Sequence, residues 1–195
     1  MKFIIGLTGP TGSGKTTVLN LATEKGFYCI DCDKVAHSVL EENKLCIAAV
    51  KEAFGEEIEE NGKIVRPLLA KKAFSGKENT QLLNDTVLPF IVSEILEIIE
   101  NCNSEKILLD APTLFESGID EICSCVIAVL CNKNTRIKRI IERDNLSQEA
   151  ALLRVNAGKP DDFYLENADY IINNDGDKAE FITNVSNLLE TLTKE

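Results

Sequence analysis

Short apolar runs alternate along the sequence with longer segments whose apolar residues recur at helical spacing. Five of the runs predict strands, and one of them, CVIAVLC, is apolar throughout, as is typical of a strand covered on both faces of a parallel sheet. Such alternation predicts an α/β fold built on a doubly wound, five-stranded parallel sheet. The predicted strands are FIIGL from Phe3, FYCI from Phe27, KILLDAP from Lys106, CVIAVLC from Cys125 and YIINND from Tyr170.

The interval between the second and third predicted strands is too long for a simple crossover and carries only helical patterns. Within it, GEEIEENGK is interpreted as a solvated turn between helices, and Pro89 is expected to kink or divide a long helical segment. We therefore expect a separate helical layer that binds an acceptor. The single chain, 1–195, is predicted to divide into a core of about 1–33, 105–144 and 166–195, a helical acceptor-binding region of about 34–104, and a helical lid of about 145–165.

The first predicted strand runs into GPTGSGKTT, which fits the phosphate-loop pattern G-x-x-x-x-G-K-S/T between a strand and a helix. Glycines allow main-chain N–H groups to approach a polyphosphate, and the positive end of the next helix adds its dipole. The lysine can neutralise β- and γ-phosphate oxygens, and the threonine hydroxyl can bind Mg²⁺. The residues predicted to bind a nucleoside triphosphate are Gly9, Gly12, Ser13, Gly14, Lys15, Thr16 and Thr17.

Three carboxylates lie at the ends of predicted strands, at the sheet edge where α/β proteins bind ligands. Asp33 is a candidate general base that takes a proton from an acceptor hydroxyl, with Asp31 beside it. Asp33 is equally well placed to cap a helix beginning at Lys34, and both duties are compatible. Asp110 closes an apolar strand and is predicted to hold Mg²⁺ together with Thr16.

Three arginines follow the fourth predicted strand, where a hinged helical lid could bring them onto the transferring phosphoryl group and exclude water. Arg139 and Arg154 are candidate catalytic residues, and Arg143 is a candidate ligand of the nucleotide. The alternative is that Arg139 and Arg143, four residues apart, lie on an exposed helix face and pair with Glu142 or Asp144.

Composition excludes several other classes of protein. The 195 residues include 32 acidic and 21 basic ones, for a net charge of −11, which disfavours a general nucleic-acid binder. Seven cysteines with one histidine fit free thiols in a reducing cytoplasm better than a zinc site. No membrane-spanning run is evident, and a monomer is favoured. A GTPase switch is disfavoured for two reasons. Thr135 stands where the guanine-reading motif has an Asp, and Asp110 is followed by Ala-Pro-Thr, which does not match the D-x-x-G turn of GTPases.

These motifs together resemble one family. MKFIIGLTGPTGSGKTT, FYCIDCDKVAH, VLPFI, LLDAPTLFESG, RIIERDNLSQEAALLRV and ADYIINNDG occur in the order and spacing of the dephospho-CoA kinases, across essentially the whole chain. The resemblance implies ATP-dependent phosphorylation, with Mg²⁺, of the ribose 3′-hydroxyl of dephospho-coenzyme A, the last step of coenzyme A synthesis. The alternatives are a related kinase for another nucleoside-like acceptor, or a nucleotide-binding protein with weak transfer activity.

Residue roles implied by the resemblance follow the matching positions. Asp33 corresponds to the presumed base, Arg139 and Arg143 to basic residues flanking ATP, and Arg154 to the lid arginine. Asn174 corresponds to the segment near adenine, and Leu114, Phe115 and Glu116 to an element beside the acceptor. The chain departs from the family at Leu88-Pro89, where His-Pro is usual, at Gly158, where a glutamine is usual, and at Asp161, Asp162 and Phe163, which replace common basic residues.

Overall fold

The computed structural model describes residues 2–193, and these contain the predicted α/β fold. Five parallel strands form one sheet in the order β2-β5-β1-β6-β7. They are β1 (Phe3–Thr8), β2 (Tyr28–Asp31), β5 (Lys106–Asp110), β6 (Cys125–Leu130) and β7 (Tyr170–Asn173). All five apolar runs therefore form strands, as their pattern predicts.

Nine helices are described: α1 (Lys15–Glu24), α2 (Cys32–Glu42), α3 (Lys44–Phe54), α4 (Arg66–Ala73), α5 (Lys77–Asn101), α6 (Lys133–Asp144), α7 (Gln148–Asn156), α8 (Asp161–Asn167) and α9 (Lys178–Leu192). Within residues 2–193, none of them combines the length and the hydrophobicity that crossing a lipid bilayer requires. The chain divides into two compact units. One contains the residues up to Ile30 and those from Asn103 onward, and the other is Asp31–Cys102.

The core of the first unit lies between the sheet and two helices, α1 and α9. Strand residues that are shielded from water on both faces supply much of it, which explains why their runs carry no polar positions. The amphipathic stripe of α9 covers the other side, as its spacing predicts. The buried members include Ile5, Leu7, Val18, Leu108, Ile127, Val129, Phe181, Val185 and Leu189.

The second unit is not entirely helical, so one sequence prediction is wrong. GEEIEENGK forms a short 3₁₀ turn, Glu56–Ile58, and then a small antiparallel hairpin of β3 (Glu59–Glu60) and β4 (Lys63–Ile64). Asn61 and Gly62 both have positive φ angles, of 53° and 81°. An Asn-Gly pair with two positive φ angles is the preferred hairpin turn, and Ile58 anchors the segment by complete burial.

Pro89 does not divide the long helical segment, because α5 continues through it without interruption. A proline inside a helix removes one N–H donor, but neighbouring contacts can hold the helix together. Val87, Ile91, Ile95 and Ile99 form a buried stripe on both sides of the proline. Packing of this stripe outweighs the local preference to break the helix.

Candidate active site

The loop between β1 and α1 adopts a conformation that only its glycines permit. Gly9, Gly12 and Gly14 have φ angles of 137°, 80° and 108°. Residues that carry a Cβ atom rarely adopt such angles. A Cβ atom would overlap the carbonyl oxygen of Val129 at Gly9, the main chain of Arg136 at Gly12, and the side-chain amide of Asn174 at Gly14. The loop is therefore held close to β6, α6 and the segment after β7.

Lys15 and Thr16 begin α1 at the end of this loop. Lys15 Nζ donates a hydrogen bond of 2.8 Å to the carbonyl oxygen of Gly9, so its side chain curls back over the loop. Thr16 is exposed, and the N–H of Thr17 donates to Gly14 O at 3.0 Å. The first N–H groups of a helix have no intrahelical acceptors and favour a bound anion. This geometry fits the polyphosphate of a nucleotide.

Asp110 ends β5 beside β1, where its Cα is in register with that of Leu7. The chain then turns away from the sheet through two contacts to β1. Ala111 N donates to Leu7 O at 3.1 Å, and Thr8 Oγ1 donates to Pro112 O at 3.4 Å. Asp110 therefore lies at the strand end next to the one that carries the phosphate loop. A carboxylate and a threonine hydroxyl are hard oxygen donors of the kind that Mg²⁺ prefers.

The element after β5 places its three candidate residues differently. Leu114 is fully buried and lies against Gly6, so its side chain is a core residue without a surface to offer a substrate. Phe115 is half-buried and meets Phe163 edge-to-face, with 5.7 Å between ring centroids. Glu116 Oε1 lies 3.8 Å from Lys159 Nζ. Of the three, Phe115 and Glu116 retain accessible surface.

In the second unit, Asp31 rather than Asp33 caps α2, which corrects the capping alternative. The helix begins at Cys32, and Asp31 Oδ1 accepts from Lys34 N at 3.0 Å while Oδ2 pairs with Lys34 Nζ at 2.9 Å. Partial burial opposes ionisation of Asp31, but its bonds to Lys34 prevail and lower its pKa. Asp33 lies exposed in the first turn. Its carboxylate is thus available for another duty.

Arg143 and Arg154 both pair with Asp144. For Arg143, this is the pairing that the alternative of an exposed helix face predicts. Arg143 binds the carboxylate with two nitrogens, at 2.7 and 2.8 Å, and Arg154 Nη1 binds it at 2.6 Å. The hydrogen bond from Arg143, with help from the charge of Arg154, holds the pKa of Asp144 below its usual range. Arg154 lies on α7, so this cluster joins α7 to the end of α6.

Arg139 does not join that cluster, although it lies one helical turn from Arg143. Its guanidinium contacts carbonyl oxygens of the phosphate loop and Asn174. The structure therefore brings Arg139, Asn174 and the loop together. Arg143 and Arg154 form a separate group, which is linked through Asp144.

A buried arginine next to the loop escaped the sequence analysis. Arg136 is only 6% exposed, its main chain contacts Gly12, and its Nη2 lies 3.5 Å from Asp161 Oδ1 at the start of α8. Burial of a charged residue cannot be inferred from helical spacing alone, because it depends on what packs over the helix. In the sequence, the one sign of this ion pair is Asp161, an acidic residue at a position where the resemblance implies a basic one.

The α8 part of the predicted lid packs against the first unit. Tyr164 is buried with Ala128 and Leu130 of β6, and Phe163 adds the contact to Phe115. Burial raises the pKa of the Tyr164 hydroxyl. The α7 part packs on α6 through Ala151, Val155 and Ile140. Both helices of the predicted lid thus have apolar contacts with other elements of their own unit.

Known proteins match the chain over most of its length. A family model described as dephospho-CoA kinase matches residues 3–180. A dephospho-CoA kinase of Corynebacterium glutamicum is 35% identical over 189 residues, which cover 95% of this chain and 97% of the relative. One of Arabidopsis thaliana is 40% identical over 177 residues, 89% of this chain and 76% of the relative.

A solved structure agrees with these sequence matches. The dephospho-CoA kinase from Campylobacter jejuni is 32% identical and superposes with a TM-score of 0.72, with 100% of this chain and 98% of that chain covered. Family model, sequence relatives and structure agree over a chain that carries an intact phosphate loop. The protein belongs to the dephospho-CoA kinase family.

Proposed function

We propose that this protein uses ATP to phosphorylate the ribose 3′-hydroxyl of dephospho-coenzyme A, and so produces coenzyme A and ADP. Membership of the family supports the reaction, and the observation that carries it is the phosphate loop. Three glycines with positive φ angles precede a helix whose first residues are Lys15 and Thr16. No other side chain could occupy those glycine positions without displacing main chain or Asn174. A loop of this conformation before a helix N-terminus can offer main-chain N–H groups to a bound polyphosphate.

In this proposal the loop and Lys15 bind the β- and γ-phosphates of ATP. The N–H groups at the start of α1 supply donors, and the lysine ammonium leaves Gly9 O to contact phosphate oxygens. Thr16 and Asp110 would hold Mg²⁺, which when bound neutralises charge on the phosphates. Positive charge is supplied locally in this way, on a chain whose net charge is −11.

Asp33 is proposed as the general base. As the acceptor 3′-oxygen forms its bond to the γ-phosphorus, the hydroxyl proton passes to the Asp33 carboxylate, and the bond from the γ-phosphorus to the β–γ bridging oxygen breaks to release ADP. Because Asp31 caps α2, Asp33 remains exposed in the first turn. Asp31, Phe115 and Glu116 are proposed to contact the acceptor, with Leu114 supporting them from the core.

Arg154 and the segment 145–165 are proposed to act as a lid. When Arg154 exchanges Asp144 for the transferring phosphoryl group, it stabilises charge there and helps to exclude water. An exposed ion pair of this kind is cheap to break. We further propose a cytoplasmic location, since its seven cysteines are all free in the structure and suit a reducing compartment. A monomer is kept as the proposed assembly.

A second candidate is a related kinase for another nucleoside-like acceptor. It is favoured by Asp161, which pairs with the buried Arg136 at a position where the resemblance implies a basic residue. A coupled assay of ADP formation with dephospho-coenzyme A, beside a panel of nucleosides and nucleotides, distinguishes the two candidates. Turnover with dephospho-coenzyme A, and coenzyme A as the product by mass, is expected. Turnover only with another acceptor contradicts the first proposal.

Replacing Asp33 by Asn tests the assignment of the base. The amide cannot take the proton, so we expect kcat to fall by about 10²- to 10⁴-fold while the Kd for ATP stays near its original value. Asp85→Asn is the matched control, because Asp85 is another exposed helical aspartate of the second unit. An unchanged kcat in Asp33→Asn would remove Asp33 from the mechanism.

A further inference from the structure

Both terminal nitrogens of Arg139 are occupied by oxygen atoms of the protein. Nη1 lies 3.3 Å from Gly12 O and 3.2 Å from Ser13 O, so it donates to two consecutive loop carbonyls. Nη2 donates to Asn174 O at 3.1 Å and also lies 3.4 Å from Asn174 Oδ1. The guanidinium therefore links the phosphate loop to the segment after β7. To bind the transferring phosphoryl group with its terminal nitrogens, Arg139 would have to give up these contacts.

Asn174 contacts the same part of the loop as Arg139. Its side chain is buried, with the residue 7% exposed, and Nδ2 donates to Ser13 O at 2.7 Å. Its main-chain N–H donates to Leu130 O at 2.8 Å, which fixes it to the end of β6. Ser13 O thus accepts from both Asn174 and Arg139. Gly14 has room for no Cβ because the amide of Asn174 lies against it.

These contacts determine which way the loop amides point. In a planar trans peptide the carbonyl and the following N–H point in opposite directions. Because Ser13 O faces Arg139 and Asn174, the N–H of Gly14 points away from them. A phosphate bound by this loop needs N–H groups and is repelled by carbonyl oxygens. Holding the carbonyls on one side presents the donor on the other side.

The bracing residues are themselves fixed by a second set of contacts. Asp175 Oδ1 accepts from Asn132 N at 2.6 Å and from Asn132 Nδ2 at 2.8 Å, which ties the segment after β7 to the start of α6. The N–H of Asn132 lowers the pKa of Asp175. Cys131 lies 3.4 Å from Arg139 Nη1, and burial raises the pKa of its thiol to about 11, so it stays neutral beside the guanidinium.

We propose that Arg139 and Asn174 are positioning residues, which hold the phosphate loop in its binding conformation through the carbonyl oxygens of Gly12 and Ser13 and do not contact the γ-phosphate. The proposal deepens the proposed function and rests on it. It differs from the sequence prediction, in which Arg139 acts on the transferring phosphoryl group and Asn174 lies near adenine. It predicts that replacing either residue weakens the binding of ATP and the binding of ADP by the same factor.

The test is the affinity of the purified protein for ATP and for ADP, measured by calorimetry with Mg²⁺ present. Arg139→Met removes the guanidinium, and Asn174→Asp replaces its donor with an oxygen that repels Ser13 O. We expect both variants to bind ATP and ADP more weakly by a similar factor, roughly ten- to a hundredfold. The ratio of the two affinities should stay within about twofold of its original value, and kcat at saturating ATP should largely persist.

Matched controls lie next to each residue. Lys138→Met removes a positive charge from an exposed side chain of α6, and Asn173→Asp makes the same amide-to-acid change at an exposed neighbour. Both should retain their nucleotide affinities. Circular dichroism and Tm show whether each variant folds. Arg139→Lys, which keeps the charge and loses the paired geometry, is expected to weaken both nucleotides by a smaller equal factor, so it serves as a second variant if Arg139→Met does not fold.

Two results would overturn the proposal. The first is a loss of affinity confined to ATP, or a collapse of kcat at saturating ATP, either of which would make Arg139 a ligand of the γ-phosphate. The second is unchanged affinity for both nucleotides. The affinity measurements do not depend on the acceptor. A failure of the proposed function appears instead in the unmodified protein, as an absence of turnover with dephospho-coenzyme A while ATP and ADP still bind.

Discussion

Arg139 and Arg143 lie one turn apart on α6, yet they do different things. Arg139 is partly buried and donates to main-chain oxygens that belong to distant parts of the chain, whereas Arg143 is 56% exposed and pairs with its sequence neighbour Asp144. Fixed carbonyl oxygens give the first arginine one geometry. Arg143 shares its partner Asp144 with Arg154, and exposed ion pairs of this kind contribute little free energy. The braced loop is therefore held by several fixed partners, whereas the Asp144 cluster, formed by Arg143, Asp144 and Arg154, is held only by partly exposed ion pairs.

The largest effect should come from the loop itself. Lys15→Ala removes the cation proposed to contact the phosphates, and we expect kcat/KM for ATP to fall by roughly a hundredfold or more. Lys25→Ala is the control, since Lys25 lies at the far end of α1 and pairs with Glu190 at 2.6 Å. Steady-state kinetics with dephospho-coenzyme A measure both. Near-normal turnover in Lys15→Ala would mean that the braced loop is not the phosphate site.

A pair of glycines tests whether the loop is as constrained as it looks. Gly14→Ala forces a Cβ against Asn174 at a φ of 108°, so nucleotide affinity should fall by at least about tenfold. Gly158, in the predicted lid, has ordinary space, with the nearest atom 3.7 Å from a Cβ. Gly158→Ala should leave affinity unchanged and raise stability slightly, by up to about 1 kcal/mol. Calorimetry and thermal unfolding report both, and equal effects would erase the distinction between the regions.

Arg154→Ala asks whether the Asp144 cluster moves during the reaction. If Arg154 reaches the phosphoryl group when the lid closes, its loss should raise the ratio of ATP hydrolysis to transfer severalfold, while the affinities for ATP and ADP change little. Phosphate release without acceptor and coenzyme A formation with acceptor measure the ratio. Should the ratio stay constant, Arg154 only ties α7 to α6.

The smallest effect concerns the pH dependence of the Asp144 cluster. The pKa of Asp144 is lowered in the folded protein, so its ion pairs stabilise the fold above the usual pKa of an aspartate and this contribution is lost as the pH falls below about 4. The Tm difference between the protein and Asp144→Asn should thus be small at pH 7, weaken in high salt and shrink as the pH falls below about 4. A difference that depends on neither salt nor pH would mean that the cluster is not held by charge.

Sequence patterns predicted the sheet because strands covered on both faces must be apolar throughout, and they predicted the phosphate loop because glycine and lysine spacing is dictated by the ligand. They misplaced the cap of α2 by two residues, since Asp31 and Asp33 are equally suited by composition and only the helix start at Cys32 distinguishes them. The Asn61-Gly62 pair is a sequence signal for a hairpin turn, but the acidic residues around it favoured the interpretation as a solvated turn.

The partners of the arginines could not be predicted in the same way. Arg136, Arg139 and Arg143 share one helix and similar neighbours in sequence. What separates them is the environment: Asp161 of α8 lies beside the first, loop carbonyls accept from the second, and the third is exposed and pairs with Asp144. Spacing along the sequence gives the direction in which a side chain leaves a helix, but not the residues that it contacts in the folded protein.

The bond from Asn174 to Ser13 spans 161 positions, and that from Arg139 to Ser13 spans 126. Contacts of such separation form only after the intervening chain has been synthesised and has collapsed. A ribosome-bound nascent chain that has emerged no further than β6 already displays the G-x-x-x-x-G-K-T signature, yet nothing clamps its carbonyls. Under the proposed bracing role, the loop can capture a nucleotide only once β7 has docked beside β6 and brought Asn174 to Ser13.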